Sequence, residues 1–262
     1  NRIFNKLDEL SILLKSKSFD IVAITETWLS ESDDIPDSVV HVNEYSVFRQ
    51  DRNGAIGGGV MCYISKNIFS RVLDLETRND LNFEILWLLV RPMLLSRPLS
   101  IVIVAVLYCP PWYNADLCSK LSRYLVSCVD ELYRKYNHPC FLIVGDFNSL
   151  DCNLFNKYLH LKQLVINPTR GENILDKIFT NKSDFFDIPV TLPPLGRSDH
   201  VCIHLKPKHR QTSLSTIAPV MRRNLCDSVI DQIGFDLVHV RWVDMFRLDD
   251  VQSQADFFIL LC

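Results

Sequence analysis

Apolar positions recur at helical spacing from the start of the chain. Ile3, Leu7, Leu10, Leu13 and Leu14 share one side, with Lys6, Asp8, Glu9 and Lys15 mostly on the other. The period then changes. Ile21-Val22-Ala23-Ile24 predicts a strand over 21–25, an acidic, turn-rich segment covers 30–44, and Tyr45-Ser46-Val47-Phe48 is a short strand. Asp51-Arg52-Asn53-Gly54 reads as a turn, and the glycines at 57–59 lead into a strand at Val60–Ile64. Phe83–Val90 and Ile101–Tyr108 are two more strands, candidates for a hairpin across the proline-bearing loop 91–98. Leu117, Leu121, Leu125, Cys128, Val129 and Leu132 predict a long amphipathic helix over 115–136. A buried strand at 141–144, a short helix near 153–160 and strands at 174–179 and 201–205 follow. Beyond Leu205 the texture changes. A basic, irregular stretch (Lys206, Lys208, His209, Arg210, Arg222, Arg223) precedes a weakly amphipathic helical segment over 224–262, which ends in an apolar run, Phe257–Cys262. Such an ending reads as that of a fragment. Many strands with few intervening helices predict two packed sheets flanked by helices, not a singly wound sheet.

At 262 residues and 48% hydrophobic content, the chain can bury a large core, enough for one ordinary domain plus an appendage. A net charge of -3 excludes a molecule that is basic all over, so any grip on phosphate is local or passes through a divalent metal. Nine cysteines form no CxxC pair and no zinc-like spacing, which favours free thiols in a reducing compartment. No signal-peptide pattern is visible, and the apolar stretch from Leu99 to Cys109 is too short and too β-branched for a membrane span. The expected location is intracellular, nuclear or cytoplasmic, with no membrane partner.

Polar groups punctuate the ends of these strands. Glu26 closes the first, between two threonines, and suits a hard cation; a surface or capping glutamate is the plainer reading. Gly145-Asp146-Phe147-Asn148 follows the run Phe141–Val144. Asp146 suits the activation of a water, and Asn148 the holding of that water or of a phosphate oxygen; an Asx turn closing the strand is the alternative. Asp199-His200 precedes the last strand, either as a solvated turn or as an imidazole able to neutralise a phosphate oxygen. Asp176 alternates with apolar neighbours and needs a partner, for which His200 is the natural candidate. Tyr108 ends a very apolar strand and either aims its hydroxyl at the same mouth or simply reaches solvent. Taken together, these residue types suit metal-assisted hydrolysis of a phosphodiester.

Their order along the chain carries a resemblance. Thr25-Glu26-Thr27-Trp28, the run Gly57-Gly58-Gly59, Tyr108 with Pro110-Pro111, Gly145-Asp146-Phe147-Asn148, Pro168-Thr169-Arg170, Leu175-Asp176-Lys177-Ile178-Phe179-Thr180-Asn181 and Ser198-Asp199-His200 together resemble the endonuclease/exonuclease/phosphatase superfamily. Within it, the set is most similar to the apurinic-type endonuclease domain of non-LTR (LINE-like) retrotransposons, on the strength of Asn5–Leu10 and the Pro-Thr-Arg segment. The resemblance spans about residues 3–206.

It implies an α/β (α+β) fold, a four-layered sandwich of two mixed β-sheets flanked by helices. It also implies Mg2+ or Mn2+ at Glu26, Tyr108 at the scissile phosphate, and Asp146 on the attacking water with Asn148 beside it. Asp176 would orient His200, His200 would contact the phosphate, and Asp199 would be a second carboxylate near the metal. Thr169 and Arg170 would line a DNA groove. Family members carry an earlier strand ending in an Asn; this sequence starts at or just past that point, so the first strand is expected to be missing and activity impaired. Residues 1–206 would be the catalytic domain, and 207–262 a linker and partial helical connector toward a reverse transcriptase domain in a longer polyprotein. Three functions stay open: a DNA endonuclease leaving a 3′-hydroxyl for target-primed reverse transcription, a phosphatase of the same fold acting on a phospholipid or nucleotide, and a catalytically dead module.

Overall fold

The computed structural model describes residues 3–208 except 17–18, 31–34, 55–56 and 94–96, together with 234–235, 237–251 and 253–254. Two compact units divide the chain, Asn1–Gln211 and Thr212–Cys262. In the second, the described residues include a short helix, Trp242–Phe246, with the Trp242 indole donating to the Leu237 carbonyl at 3.1 Å. His209, Arg210, Arg222, Arg223 and the run 257–262 lie outside the described residues, so the expected basic cluster and apolar end are not among the structural findings.

In the first unit, helix α1 (Leu7–Ser16) is followed by strand β1 (Ile21–Thr25), helix α2 (Asp37–Val40) and strands β2 (Tyr45–Gln50) and β3 (Val60–Ser65). Then come β4 (Phe69–Val72), β5 (Glu84–Arg91), β6 (Val102–Tyr108), helix α3 (Ala115–Lys135), β7 (Cys140–Asp146) and helix α4 (Asn153–Leu159). Strands β8 (Lys162–Gln163), β9 (Asp176–Thr180), β10 (Val190–Leu192) and β11 (Cys202–His204) complete it. The sheets have orders β1-β3-β2, β4-β5-β6-β7-β9-β8 and β10-β11. The six-stranded sheet is mixed, with β6 parallel to β7 and the other pairs antiparallel. The three-stranded sheet is antiparallel throughout, so only one of the main sheets is mixed. Among the described residues β1 pairs with β3 alone.

Side-chain alternation builds the layers. In β5 and β6, Leu86, Leu88, Val90, Val102, Val104 and Val106 meet Val60, Cys62 and Ile64 of β3 between the two sheets. The intervening Ile85, Trp87, Leu89, Ile103, Ala105 and Leu107 pack under Leu121, Leu125, Val129 and Leu132 of α3 and Phe155 of α4. On the far side, Met61 and Tyr63 of β3 cover Leu10 and Leu14 of α1. The result is helix, sheet, sheet, helix: the expected four-layered sandwich. Being covered on both faces is why β5 and β6 read as unbroken apolar runs. Helix α3 starts where Asn114 accepts from the Leu117 N–H at 2.9 Å, with Asp116 in the first turn and Arg134 and Lys135 in the last, complementing the helix dipole.

Three strands escape the periodicity argument. β4 is an edge strand whose Phe69 and Val72 are exposed, while β8 and β10 have only 2 and 3 residues. None buries an alternating face. The turn-rich segment 30–44 also contains α2, whose start at Pro36 has no side-chain cap.

Candidate active site

Strand register assembles the centre. Glu84 of β5 stands opposite Tyr108 of β6, Tyr108 opposite Asp146 of β7, and Asp146 opposite Asp176 of β9. Residues opposite one another across a sheet project to the same face. Four polar side chains on four successive strands therefore form one row, at the mouth of the six-stranded sheet and on the side of the second sheet.

The second sheet meets this row through the segment after β1. Glu26 (φ 54) and Trp28 (φ 60) both take left-handed backbone conformations, which cost a non-glycine residue about 1–3 kcal/mol and persist where surrounding contacts over-determine them. Here the Trp28 and Thr27 N–H groups donate to Gly58 and Gly59 carbonyls at 2.8 and 3.3 Å. The buried Thr27 hydroxyl accepts from the Leu29 N–H at 3.3 Å. A Cβ on Gly59 would fall 2.4 Å from the Thr27 hydroxyl, which explains the glycine there. So held, the exposed Glu26 accepts the Tyr108 hydroxyl on Oε1 at 2.6 Å, while the Trp28 indole donates to Oε2 at 3.5 Å. Burial, and then Glu26, push the Tyr108 phenol up; it stays protonated and donates.

Asp146 is 3% exposed. Asn148 (φ 41) curls back so that its backbone N–H reaches Asp146 Oδ1 and its Nδ2 reaches Oδ2, each at 3.0 Å. The Asx turn is thus present, and it serves to fix the carboxylate. Asn148 Nδ2 also donates to the Cys109 carbonyl at 2.9 Å. Both amide protons are committed inside the protein. Of the two expected roles, holding the water or a phosphate oxygen, neither falls to this amide nitrogen here: it orients Asp146. Burial first, then the neighbouring Asp176, push the Asp146 carboxyl up to about 6, with Glu26 adding to the rise and Asn148 and His200 opposing it.

His200 places Nδ1 2.7 Å from Asp176 Oδ2. That hydrogen bond raises the imidazole above its ordinary 6.5, against the opposing effect of burial. The pairing expected from the apolar neighbours of Asp176 is present. Arg170 and Asp199 form an ion pair at 2.7 Å on the rim, with side chains 51% and 64% exposed. Asp199, the expected second carboxylate near the metal, is paired here with Arg170. Thr169 is 1% exposed, and its hydroxyl accepts from the Leu175 and Asp176 N–H groups, each at 3.0 Å. It braces the strand that carries Asp176 and cannot line a groove, contrary to the sequence reading. Arg170, half in solvent, keeps that option.

Two residues of the centre escape the sequence reading. Arg52, taken there as part of a turn, is 7% exposed and donates to Glu84 Oε1 from Nε at 3.0 Å and also from Nη2. The other Glu84 oxygen accepts the Gly59 N–H, which ties the row in the large sheet to the glycine run of the small one. Glu84 itself was the available signal. A carboxylate at the head of the strand Glu84–Arg91, followed by six apolar residues, must find a partner when buried.

Among the described residues, no three His, Cys, Asp or Glu side chains gather as a metal cage. Nor is any helix there long and apolar enough to cross a membrane. A sequence profile described as the Endonuclease/Exonuclease/phosphatase family matches residues 4–200. No curated protein sequence matches the chain. Among solved structures, the AP endonuclease LMAP from Leishmania major is similar at TM-score 0.59 and 13% identity, over 79% of this chain and 84% of that one. The 3′ phosphatase NExo from Neisseria, bound to a product DNA hairpin, is similar at 0.56 and 13%, over 80% and 96%. The endonuclease domain of TRAS1, a telomere-specific non-LTR retrotransposon, is similar at 0.53 and 14%, over 79% and 94%. At such identities these likenesses establish the fold alone.

Proposed function

We propose that this chain, which belongs to the endonuclease/exonuclease/phosphatase family, is a divalent-metal-dependent endonuclease that hydrolyses one phosphodiester bond in DNA and leaves a 3′-hydroxyl. The observation that carries the reading is the meeting of two hydrogen-bonded pairs, Tyr108–Glu26 at 2.6 Å and His200–Asp176 at 2.7 Å, on either side of the buried Asp146. Asp146, fixed by both donors of Asn148, takes the proton of the attacking water. A general base works best with a pKa near the working pH, and a carboxyl held at about 6 is ionised at neutral pH yet still basic. His200, whose charged form the Asp176 hydrogen bond favours, donates from its other ring nitrogen to a non-bridging phosphate oxygen. Tyr108, 2% exposed, gives its one hydroxyl proton to Glu26 and so positions that carboxylate.

Glu26 is the residue that fits a divalent cation. It is exposed and stands in a field of carboxylates (Asp146, Asp176) whose mutual repulsion a cation relieves. Mg2+ commonly needs only one or two protein carboxylates and takes its remaining ligands from water and phosphate. When bound, it supplies positive charge to the phosphate and the leaving oxygen. Nicking of supercoiled plasmid is expected to stop in EDTA and to return with excess Mg2+ or Mn2+. An undiminished rate in chelator removes Glu26 from this role.

The two shifted groups also set the pH dependence. Activity requires Asp146 ionised, so kcat/KM climbs as pH rises through about 6. It requires His200 charged, so the fall on the alkaline side comes above the ordinary histidine value of 6.5. Because the Asp176 hydrogen bond is the main cause of that rise, Asp176→Asn moves the alkaline limb to lower pH. A limb that stays in place dissociates His200 from the profile.

The retrotransposon branch is the reading that Asn5–Leu10 and Pro168-Thr169-Arg170 support. On it, the 3′-hydroxyl is the end a reverse transcriptase partner extends, residues 1–206 are the catalytic domain and 207–262 the connector to that partner.

A further inference from the structure

We propose that Trp112 is a base-stacking residue, on whose indole a nucleobase of the bound strand lies beside the Tyr108–Glu26 contact. The proposal rests on the nuclease reading and adds to it the group that grips the substrate next to the reacting phosphate.

Trp112 is 64% exposed, yet it is rigidly mounted. It is the third residue of the turn Pro110-Pro111-Trp112-Tyr113, which the Tyr113 N–H closes onto the Pro110 carbonyl at 3.1 Å. Proline at the second position presets the backbone for such a turn. Both flanks are anchored. The Cys109 N–H donates to the Asp146 carbonyl at 2.9 Å, and Asn114 caps α3. Tyr113 packs on Phe83, ring centroids 6.2 Å apart.

Arg52 supports the indole. Its guanidinium carbon lies 5.0 Å from the Trp112 ring centroid and 5.5 Å from that of Tyr108, within cation–π range of both. Arg52 is itself buried and bound to Glu84, so its charge is opposed and its position fixed. It cannot swing out to hold a phosphate. It is a shelf shared by two rings, one at the catalytic row and the other largely in water. A single exposed apolar residue needs no explanation. An exposed indole on a proline-fixed turn, one guanidinium away from Tyr108, already has its ordering cost met, and a flat π-face there suits a nucleobase of any sequence.

Stacking of one base on one aromatic side chain is worth about 1–3 kcal/mol by alanine substitution, roughly a 5- to 150-fold change in affinity. The test compares an oligothymidylate with an abasic deoxyribose-phosphate chain of the same length, both bound in EDTA and followed by fluorescence anisotropy. The parent is expected to prefer the oligothymidylate. Trp112→Ala should lose about 5- to 150-fold toward it, with affinity for the abasic chain and the melting temperature unchanged; Trp112→Phe should recover most of the loss. Equal losses toward both chains, no loss, or a parent with no preference for bases overturns the proposal. Plasmid nicking is scored separately with Mg2+. A parent that nicks without preferring bases sinks the stacking proposal alone, and one that prefers bases without nicking sinks the nuclease reading alone.

Discussion

Asp146→Asn is expected to lower the plasmid-nicking rate by about 10²–10⁴-fold, the usual contribution of a positioned general base, while the fold survives. The substitution keeps the volume and one acceptor for the Asn148 backbone N–H, but it removes the atom that takes up a proton. It also relieves the repulsion among Asp146, Asp176 and Glu26 that helps push the Asp146 carboxyl up to about 6. The amide nitrogen this places against Asn148 Nδ2 offsets part of that relief, so the loss of activity should come with only a small fall in melting temperature, far short of unfolding, which separates a chemical role from a structural one. A single-turnover rate matching the parent in Mg2+ would remove Asp146 from the mechanism. His200→Ala should show a loss of similar kind, about 10²–10³-fold, since it withdraws a charged donor from the phosphate.

Gly145→Ala is expected to have the largest effect on the fold. Gly145 precedes Asp146 in β7 at φ 140, and a Cβ there would sit 1.9 Å from the Leu107 carbonyl oxygen of the paired strand β6. The atom it meets is backbone, so no side chain can move aside. Relief requires β6 and β7 to part at the end that carries Tyr108 and Asp146. A destabilisation of about 4 kcal/mol or more is expected, at the extreme of single substitutions, with the melting temperature falling by roughly 8–16 °C. A parent-like melting temperature would contradict the close approach of the two strands. The same glycine that closes the strand in the sequence thus also sets the distance between two residues of the centre.

How much the sequence discloses depends on how locally each feature is determined. β5, β6, β7 and α3 are legible because burial on both faces, or on one helical stripe, writes itself into successive residues. The pairing of Asp176 with His200 is legible because a carboxylate among apolar neighbours needs a partner. The brace Arg52–Glu84–Gly59 is not, because it depends on the approach of two sheets whose members lie 32 and 25 residues apart. Thr169 misleads for the same reason: a Pro-Thr-Arg segment looks like surface, and only the fold places its hydroxyl under the N–H groups of Leu175 and Asp176. Asn148 lies between these cases. Its closeness to Asp146 is local and legible, while the Cys109 carbonyl that takes up its remaining amide proton lies just past the end of another strand.

The central claim is that Glu26, Tyr108, Asp146, Asp176 and His200 form one hydrolytic centre acting on DNA. The most direct measurement incubates the purified chain with supercoiled plasmid and Mg2+ and identifies the new ends. The account predicts open-circular product with extendable 3′-hydroxyl ends, formed by the parent and not by Asp146→Asn. Plasmid left supercoiled, or nicked equally by both proteins, would contradict it.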